Sequence, residues 1–370
     1  MFKKLIKKIF YLLFPLRNVI LFESAPDYSD NTRAVFDEML RRGLNNKYKF
    51  VWIAKTPCPF EEKNVTSIWL SNKFKIRYYY NVAKLIICCN SVFHPLRKGQ
   101  KAFYLGHGAP IKSVKDCCFL RDSIDYCLST SKAMEYHFAN ELNFDINKVV
   151  SLGYPRNDAL TNVKVDIKKI LNTTCKKVAV WYPTFRQHKC GRTTGATNAL
   201  PIIHDAEKAI KLNEHAKIND VLIVLKPHFA QDLSYVKDLN LSNIRFIDDS
   251  FFVKNKISSY EFVGNTDALI SDYSSIYYDY TLCDKPIAVV WEDIEDYKKK
   301  PGLVKGYEEL LKGAEKIYTL EDFMGFVERL ANGVDLLNKE RNEIKILTNY
   351  ACDGKNSERV VDFILEKFLK

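Results

Sequence analysis

Nine short apolar runs recur along this chain of 370 residues, and they limit the folds open to it. They are NVILFES (18–24), YKFVWIA (48–54), KLIICCN (84–90), KAFYLGH (101–107), KVVSLG (148–153), KVAVWYP (177–183), DVLIVLKPH (220–228), DALISD (267–272) and KPIAVVW (285–291). They are β-branched and mostly continuous rather than alternating, as strands covered on both faces are. Helix-like stretches lie between them, such as NTRAVFDEMLRRG (31–43), closed by Gly43 as a helix C-cap. This alternation predicts an α/β protein with parallel sheets.

The length suits two domains better than one core. The polar stretch 160–176 reads as the linker region, and 187–201, with Gly191 and Gly195, reads as a long loop on the rim of the second sheet. The expected plan is two Rossmann-like parallel-sheet domains facing a cleft, over 17–165 and 166–350, with a C-terminal helix over 351–370 that crosses back to the first domain. Ligands then sit at the carboxyl ends of strands. The start of the chain, MFKKLIKKIFYLLFPLR, places Phe2, Leu5, Ile6, Ile9 and Leu13 on one side of a helix and Lys3, Lys4, Lys7 and Lys8 on the other. Its apolar part is too short to span a bilayer and lacks a cleavage site, so an amphipathic membrane-contact helix over 1–16 is expected. Each lysine beside an anionic leaflet contributes about 1 kcal/mol. The bland alternative is a surface helix packed on its own domain.

Net charge is +11, which favours anionic partners: phosphates, nucleotides or an anionic membrane. Nucleic acid is not expected, since no recognition motif is present and no basic stripe is evident outside the N-terminus. The ten cysteines include no CxxC and no Cys/His cluster of zinc spacing, so most are expected to be reduced and buried, in a cytoplasmic setting.

The residues that could carry chemistry fall at strand ends. His107 stands between Gly106 and Gly108, with Lys112 close behind, and a loop histidine there can take a proton from a hydroxyl. Lys226 and His228 end a strand of the second half, where they can meet phosphate. Thr184 and Arg186 end another, and a guanidinium suits bidentate phosphate recognition. Arg156, Asn157 and Asp158 either line the cleft or position a loop. In LISDYSSIYYDY (269–280), Ser274 and Ser275 start a helix, as a plain N-cap or as a phosphate cradle. Asp272 beside a pyrophosphate would repel it unless turned toward the backbone or a cation. No GxxxxGK[ST], no GxGxxG after a strand and no DxD is present, so no obligatory metal or cofactor is expected.

Taken in order, HGAPIK, LGYPRND, YPTFR, KPH, ISDYSSIYYDY with KPI, and DGKNSERVV (353–361) resemble the CDP-glycerol:glycerophosphate glycerophosphotransferase family, which includes teichoic acid primases and polymerases and capsule-associated relatives. The resemblance covers about residues 18–365. It implies a GT-B-like fold whose C-terminal domain binds a CDP-alcohol donor, CDP-glycerol or CDP-ribitol. It also implies a lipid-linked glycan acceptor approaching from the N-terminal domain, on the cytoplasmic face of a membrane. The family's two functional histidines map onto His107 and His228, and its serine-rich motif maps onto Ser274 and Ser275. Gly106 and Ala109 stand where the family usually has tryptophan and threonine, Phe229 where it has proline, and 298–310 lacks its usual Arg-Gly-Phe pattern. With no extra N-terminal domain or repeat module in the sequence, single or short-chain addition is expected over long polymerisation. The other readings are a nucleotide-sugar glycosyltransferase of the same fold and a non-catalytic membrane-associated assembly protein.

Overall fold

The computed structural model describes residues 11–188, 191–192, 199–228 and 231–370. The chain divides into two compact units. The first contains the residues through His107, then Phe119–Asp158 and Lys355–Lys370; the second contains Gly108–Cys118 and Ala159–Gly354. The expected break near residue 165 therefore falls at 158, and 108–118 belongs with the second unit.

In the first unit, β1 (Arg17–Glu23), β2 (Lys49–Ala54), β3 (Val65–Trp69), β4 (Ala83–Cys88), β5 (Lys101–Tyr104), β6 (Tyr126–Ser129) and β7 (Val149–Ser151) form one sheet in the order β3-β2-β1-β4-β5-β6-β7. Every pairing is parallel. The apolar runs make its buried centre: Phe22 stacks on Trp52 at 5.3 Å and meets Phe36 and Phe50 edge-on. The helix Asn356–Phe368 belongs to this unit and buries Val360, Val361 and Ile364. Its ring Phe363 lies 5.5 Å from Phe103 and 5.0 Å from Tyr126.

In the second unit, β8 (Lys177–Trp181) is followed by a small antiparallel hairpin, β9 (Gln187–His188) with β10 (Gly191–Arg192). Then come β11 (Val221–Leu225), β12 (Ile244–Phe246), β13 (Ala268–Ser271), β14 (Ile287–Val290) and β15 (Glu315–Ile317). The sheet runs β12-β11-β8-β13-β14-β15, again all parallel. Helices Ala206–Ile218 and Leu320–Ala331 pack on it, with Phe323 edge-on to Trp181 at 5.0 Å. Segment 108–118 is fastened here by a bridge between Lys112 and Leu303 and by the Val304 amide donating to the Ile111 carbonyl at 2.9 Å.

Both sheets have the doubly wound order, in which the direction of growth reverses beside the first strand. The reversal opens a crevice at the carboxyl ends of β1 and β4 in one unit, and of β8 and β13 in the other. All nine expected strands are present. Strands β3, β6, β12 and β15 were not anticipated, because they are only three to five residues long and β3, β12 and β15 are partly exposed; nor were the two-residue β9 and β10, which fall within the expected loop. The supposed linker 160–176 is packed structure: helix Ile167–Leu171 buries both its end residues, and Gly264 comes so close to Leu160 that a Cβ there would lie 2.3 Å from the Leu160 carbonyl. The loop expected over 187–201 falls largely outside the described residues, as does the greater part of the helix expected over 1–16. Among the described residues no helix is long and apolar enough to cross a membrane. Of the eight free cysteines among the described residues, Cys88, Cys89 and Cys127 are buried, fewer than expected.

Candidate active site

In the second unit the chain leaves β8 and β13 side by side, and their loops meet. Asp272, wholly buried, follows β13. One carboxylate oxygen accepts from the Thr184 amide at 2.8 Å and from Arg186 Nη1 at 2.6 Å; the other accepts from the Tyr273 amide at 2.7 Å and from the Thr184 hydroxyl. The repulsion expected of Asp272 toward a bound phosphate is thus offset by a cation and by backbone and hydroxyl donors. Arg186 also donates through Nε to Asp293 at 2.6 Å and through Nη1 to the Thr184 carbonyl at 2.7 Å. Burial works against its charge, but the Asp272 and Asp293 carboxylates outweigh burial and raise its pKa above the ordinary value. Tyr273 and Tyr297 stack at 3.5 Å beside the guanidinium, which lies 5.0 Å from the Tyr273 ring. Lys112, half-buried, feels both Asp272 and Arg186, and loss of hydration lowers its pKa.

Ser274 and Ser275 are half-buried on the same loop. The helix they precede, Ile276–Tyr280, has five residues, and no serine side chain caps it. Its tyrosines are core residues: Tyr278 donates to the Pro110 carbonyl and Tyr280 to that of Thr266. Gly108 packs directly on Ser275, since a Cβ at 108 would lie 2.2 Å from the Ser275 hydroxyl oxygen. A larger residue cannot stand there without moving Ser275.

The next strand end, after β11, carries Lys226 and His228. Lys226 pairs with Asp249 at 3.0 Å, and His228 stacks flat on Phe185 at 4.8 Å. Phe185 lies between Thr184 and Arg186 in sequence, so this stack ties the β11 loop to the β8 loop. Burial, then the neighbouring Lys226 charge, lowers the His228 pKa.

In the first unit, His107 follows β5. Gly106 before it adopts φ +65°, and a Cβ there would lie 2.8 Å from the Tyr154 hydroxyl, so glycine is required for both reasons. His107 Nδ1 lies 3.1 Å from the Cys89 carbonyl. A carbonyl only accepts, so Nδ1 carries the hydrogen and the lone pair resides on Nε2. Arg156 Nη1 donates to the His107 carbonyl at 2.7 Å and to Asp30 at 2.8 Å. Asn31 completes the frame: its Nδ2 donates to the Gly106 carbonyl, and its Oδ1 accepts from the Arg156 amide. Asn157 is buried. The half-buried Asp158 carboxylate accepts the Asn356 and Ser357 amides, which anchors the start of the last helix.

The structure therefore joins Thr184, Arg186 and Asp272 in one hydrogen-bonded network, with Lys112 near enough to feel its charges, and sets Ser275, Lys226 and His228 on the same sheet edge. Arg156 is drawn to the His107 loop, and Asp158 to the C-terminal helix. Sequence reasoning missed Asp30, Asn31, Tyr273, Tyr297 and Asp293. Asp293 lies just past β14, so extending the strand-end argument by one strand would have found it. Among the described residues no three His, Cys, Asp or Glu side chains are grouped to hold a metal.

Two doubly wound parallel sheets, one carrying this cluster at its switch point, define a GT-B-like fold. The profile described as CDP-Glycerol:Poly(glycerophosphate) glycerophosphotransferase matches residues 5–366, and the chain belongs to that family. It is 26% identical to a teichoic acid glycerol-phosphate transferase of Staphylococcus aureus, over 98% of each chain. It is 26% identical to the teichoic acid ribitol-phosphate polymerase TarL of the same organism, over 93% of this chain but only 62% of that protein. Among solved structures, the wall teichoic acid polymerase TagF superposes with a TM-score of 0.74 at 21% identity, covering 100% of this chain and 98% of that one.

Proposed function

We propose that this protein transfers a glycerol phosphate, or a similar polyol phosphate, from a CDP-alcohol to a hydroxyl of a lipid-linked glycan acceptor. CMP is released, and the product belongs to a teichoic acid or capsule-type polymer. Family membership supports the reaction class, and one structural observation supports the roles: the proton on His107 Nδ1 is committed to the Cys89 carbonyl. Nε2 is then the ring nitrogen that carries the lone pair.

In this reading the acceptor O–H gives its proton to His107 Nε2 as its oxygen bonds to the β-phosphorus. The bond from that phosphorus to the bridging oxygen breaks, and the electron pair leaves with CMP. Ser274, Ser275, Lys226 and His228 meet the donor's phosphates through hydrogen bonds and charge. Thr184, Arg186, Asp272 and Asp293 hold the loop that presents them. Positioning and fixed electrostatics supply most of the rate acceleration, as in other phosphoryl transfers. Arg156 and Asn31 hold the His107 loop.

The test is turnover with a panel of CDP-alcohols on lipid-linked and soluble acceptors, read by product mass and CMP release. Expected is a product heavier by one polyol phosphate per CMP released. Transfer of a sugar from a nucleotide sugar, or no CMP release with any CDP-alcohol, would overturn the proposal.

A further inference from the structure

The corner between β3 and the following helix carries apolar side chains that no described residue of the first unit covers. Trp69 ends β3 and is 52% exposed; Leu70 follows, and Phe74, in the first turn of helix Lys73–Val82, is 90% exposed. The turn is short and ordered: the Asn72 amide donates to the Trp69 carbonyl at 2.8 Å, and the Asn72 side chain caps the helix through the Lys75 amide. The exposed rings are therefore held out by a fixed backbone. One turn beyond Phe74, Tyr78 meets Phe14 edge-on at 5.8 Å, and the adjacent Leu12 and Leu13 are exposed as well.

Charge at this corner has one sign. Residues 63–107 contain eight Lys or Arg and no Asp or Glu. Residues 1–22 contain five more and again no acid, against a chain total of +11, so the rest of the sequence is close to neutral. Basic character is thus concentrated in a second segment besides the N-terminus, contrary to the expectation from sequence. Lys73, Lys75 and Arg77 are exposed, and none of them is paired with a carboxylate among the described residues. Two of them occupy the first turn of the helix, where its dipole favours anions instead. An external anionic surface reverses that disadvantage. Exposed tryptophan and phenylalanine ringed by lysine and arginine match the chemistry of a bilayer interface with anionic headgroups.

We propose that the Trp69–Arg77 corner is a membrane-docking surface in its own right: Trp69, Leu70 and Phe74 enter the headgroup boundary of an anionic bilayer while Lys73, Lys75 and Arg77 meet its phosphates. The corner lies at the carboxyl edge of the first sheet, the edge that also carries His107 after β5. Docking there brings that edge to the lipid surface. The proposal does not depend on the transfer reaction, because binding is read with no donor present.

The chain supplies its own probe. Of four tryptophans, Trp52, Trp181 and Trp291 are buried, and Trp69 is exposed. The full-length protein is mixed with vesicles of phosphatidylglycerol and phosphatidylcholine, with part of the lipid brominated in its acyl chains. Expected are a blue shift and quenching of emission on phosphatidylglycerol vesicles, both absent in Trp69→Phe, and weak binding to pure phosphatidylcholine. W69S/L70S/F74S and K73E/K75E/R77E should each weaken sedimentation with anionic vesicles by roughly tenfold or more. Because all six side chains are exposed, their melting temperatures should stay near that of the parent. Vesicle binding without quenching of Trp69, as anchoring by residues 1–16 alone would give, overturns the proposal. So does vesicle binding unchanged in both triple variants. A patch that instead drives self-association, lost in W69S/L70S/F74S with no change in lipid binding, overturns it as well.

Discussion

Arg186 Nη1 lies 2.6 Å from Asp272 Oδ2, and both side chains are almost wholly buried where β8 and β13 end side by side. The pair joins the two strands that flank the switch point of the second sheet. Asp293, after β14, holds the other side of the guanidinium at 2.6 Å and is partly exposed. Removing one partner from a buried pair leaves a charge with no compensation and costs about 3–5 kcal/mol. Arg186→Met should therefore lower the thermal midpoint strongly, and Asp272→Asn nearly as much. Asp293→Asn should do so less, since water reaches that carboxylate. Thermal unfolding followed by circular dichroism checks the order. A smaller loss for Arg186→Met than for Asp293→Asn would contradict it.

His107→Ala should reduce CMP release by roughly 100-fold or more if the ring is the general base, with donor affinity unchanged, because the donor is assigned to the second unit. Steady-state turnover and calorimetric titration with the CDP-alcohol separate the two effects. Turnover like that of the parent would remove His107 from the mechanism.

Gly108→Ala forces a methyl to within 2.2 Å of the Ser275 hydroxyl oxygen. Overpacking of this kind costs about 1–3 kcal/mol. The melting temperature should fall in Gly108→Ala and recover when Ser275→Gly is added. Donor affinity should stay low in both, because the hydroxyl that meets the phosphates is displaced in one and absent in the other. Recovered affinity in the double variant would show that Ser275 does not contact the donor.

The His228 imidazole should titrate below the ordinary histidine value, with burial as the first cause and Lys226 as the second. Its ring proton shifts, followed by NMR against pH, report the midpoint directly. Lys226→Met should move that midpoint upward; an unchanged midpoint would assign the whole shift to burial. The sign for stability follows from linkage. A histidine whose folded pKa is lowered binds fewer protons folded than unfolded, so this group weakens the fold as pH falls from about 6.5 and has no effect well above it.

Much of this protein was legible in the chain. The continuous β-branched runs pointed to parallel strands covered on both faces, since strands with one solvated face would alternate. The strand-end positions of His107, Thr184, Arg186, Lys226, His228, Asp272, Ser274 and Ser275 followed from those runs, and the ordered motifs pointed to the family to which the chain belongs.

The partners of those side chains depend on residues distant in sequence, and only the tertiary structure decided them. Nothing local to YPTFR indicates that its arginine faces two carboxylates 86 and 107 residues away. Nothing in GYPRND indicates that Arg156 holds the His107 carbonyl while Asp158 holds the start of the last helix. The serines were expected to cap a helix, yet Ser275 packs against Gly108 and makes no side-chain cap. Burial and pairing arise when strands remote in the chain are laid in one sheet, so they are properties of the sheet order rather than of any segment.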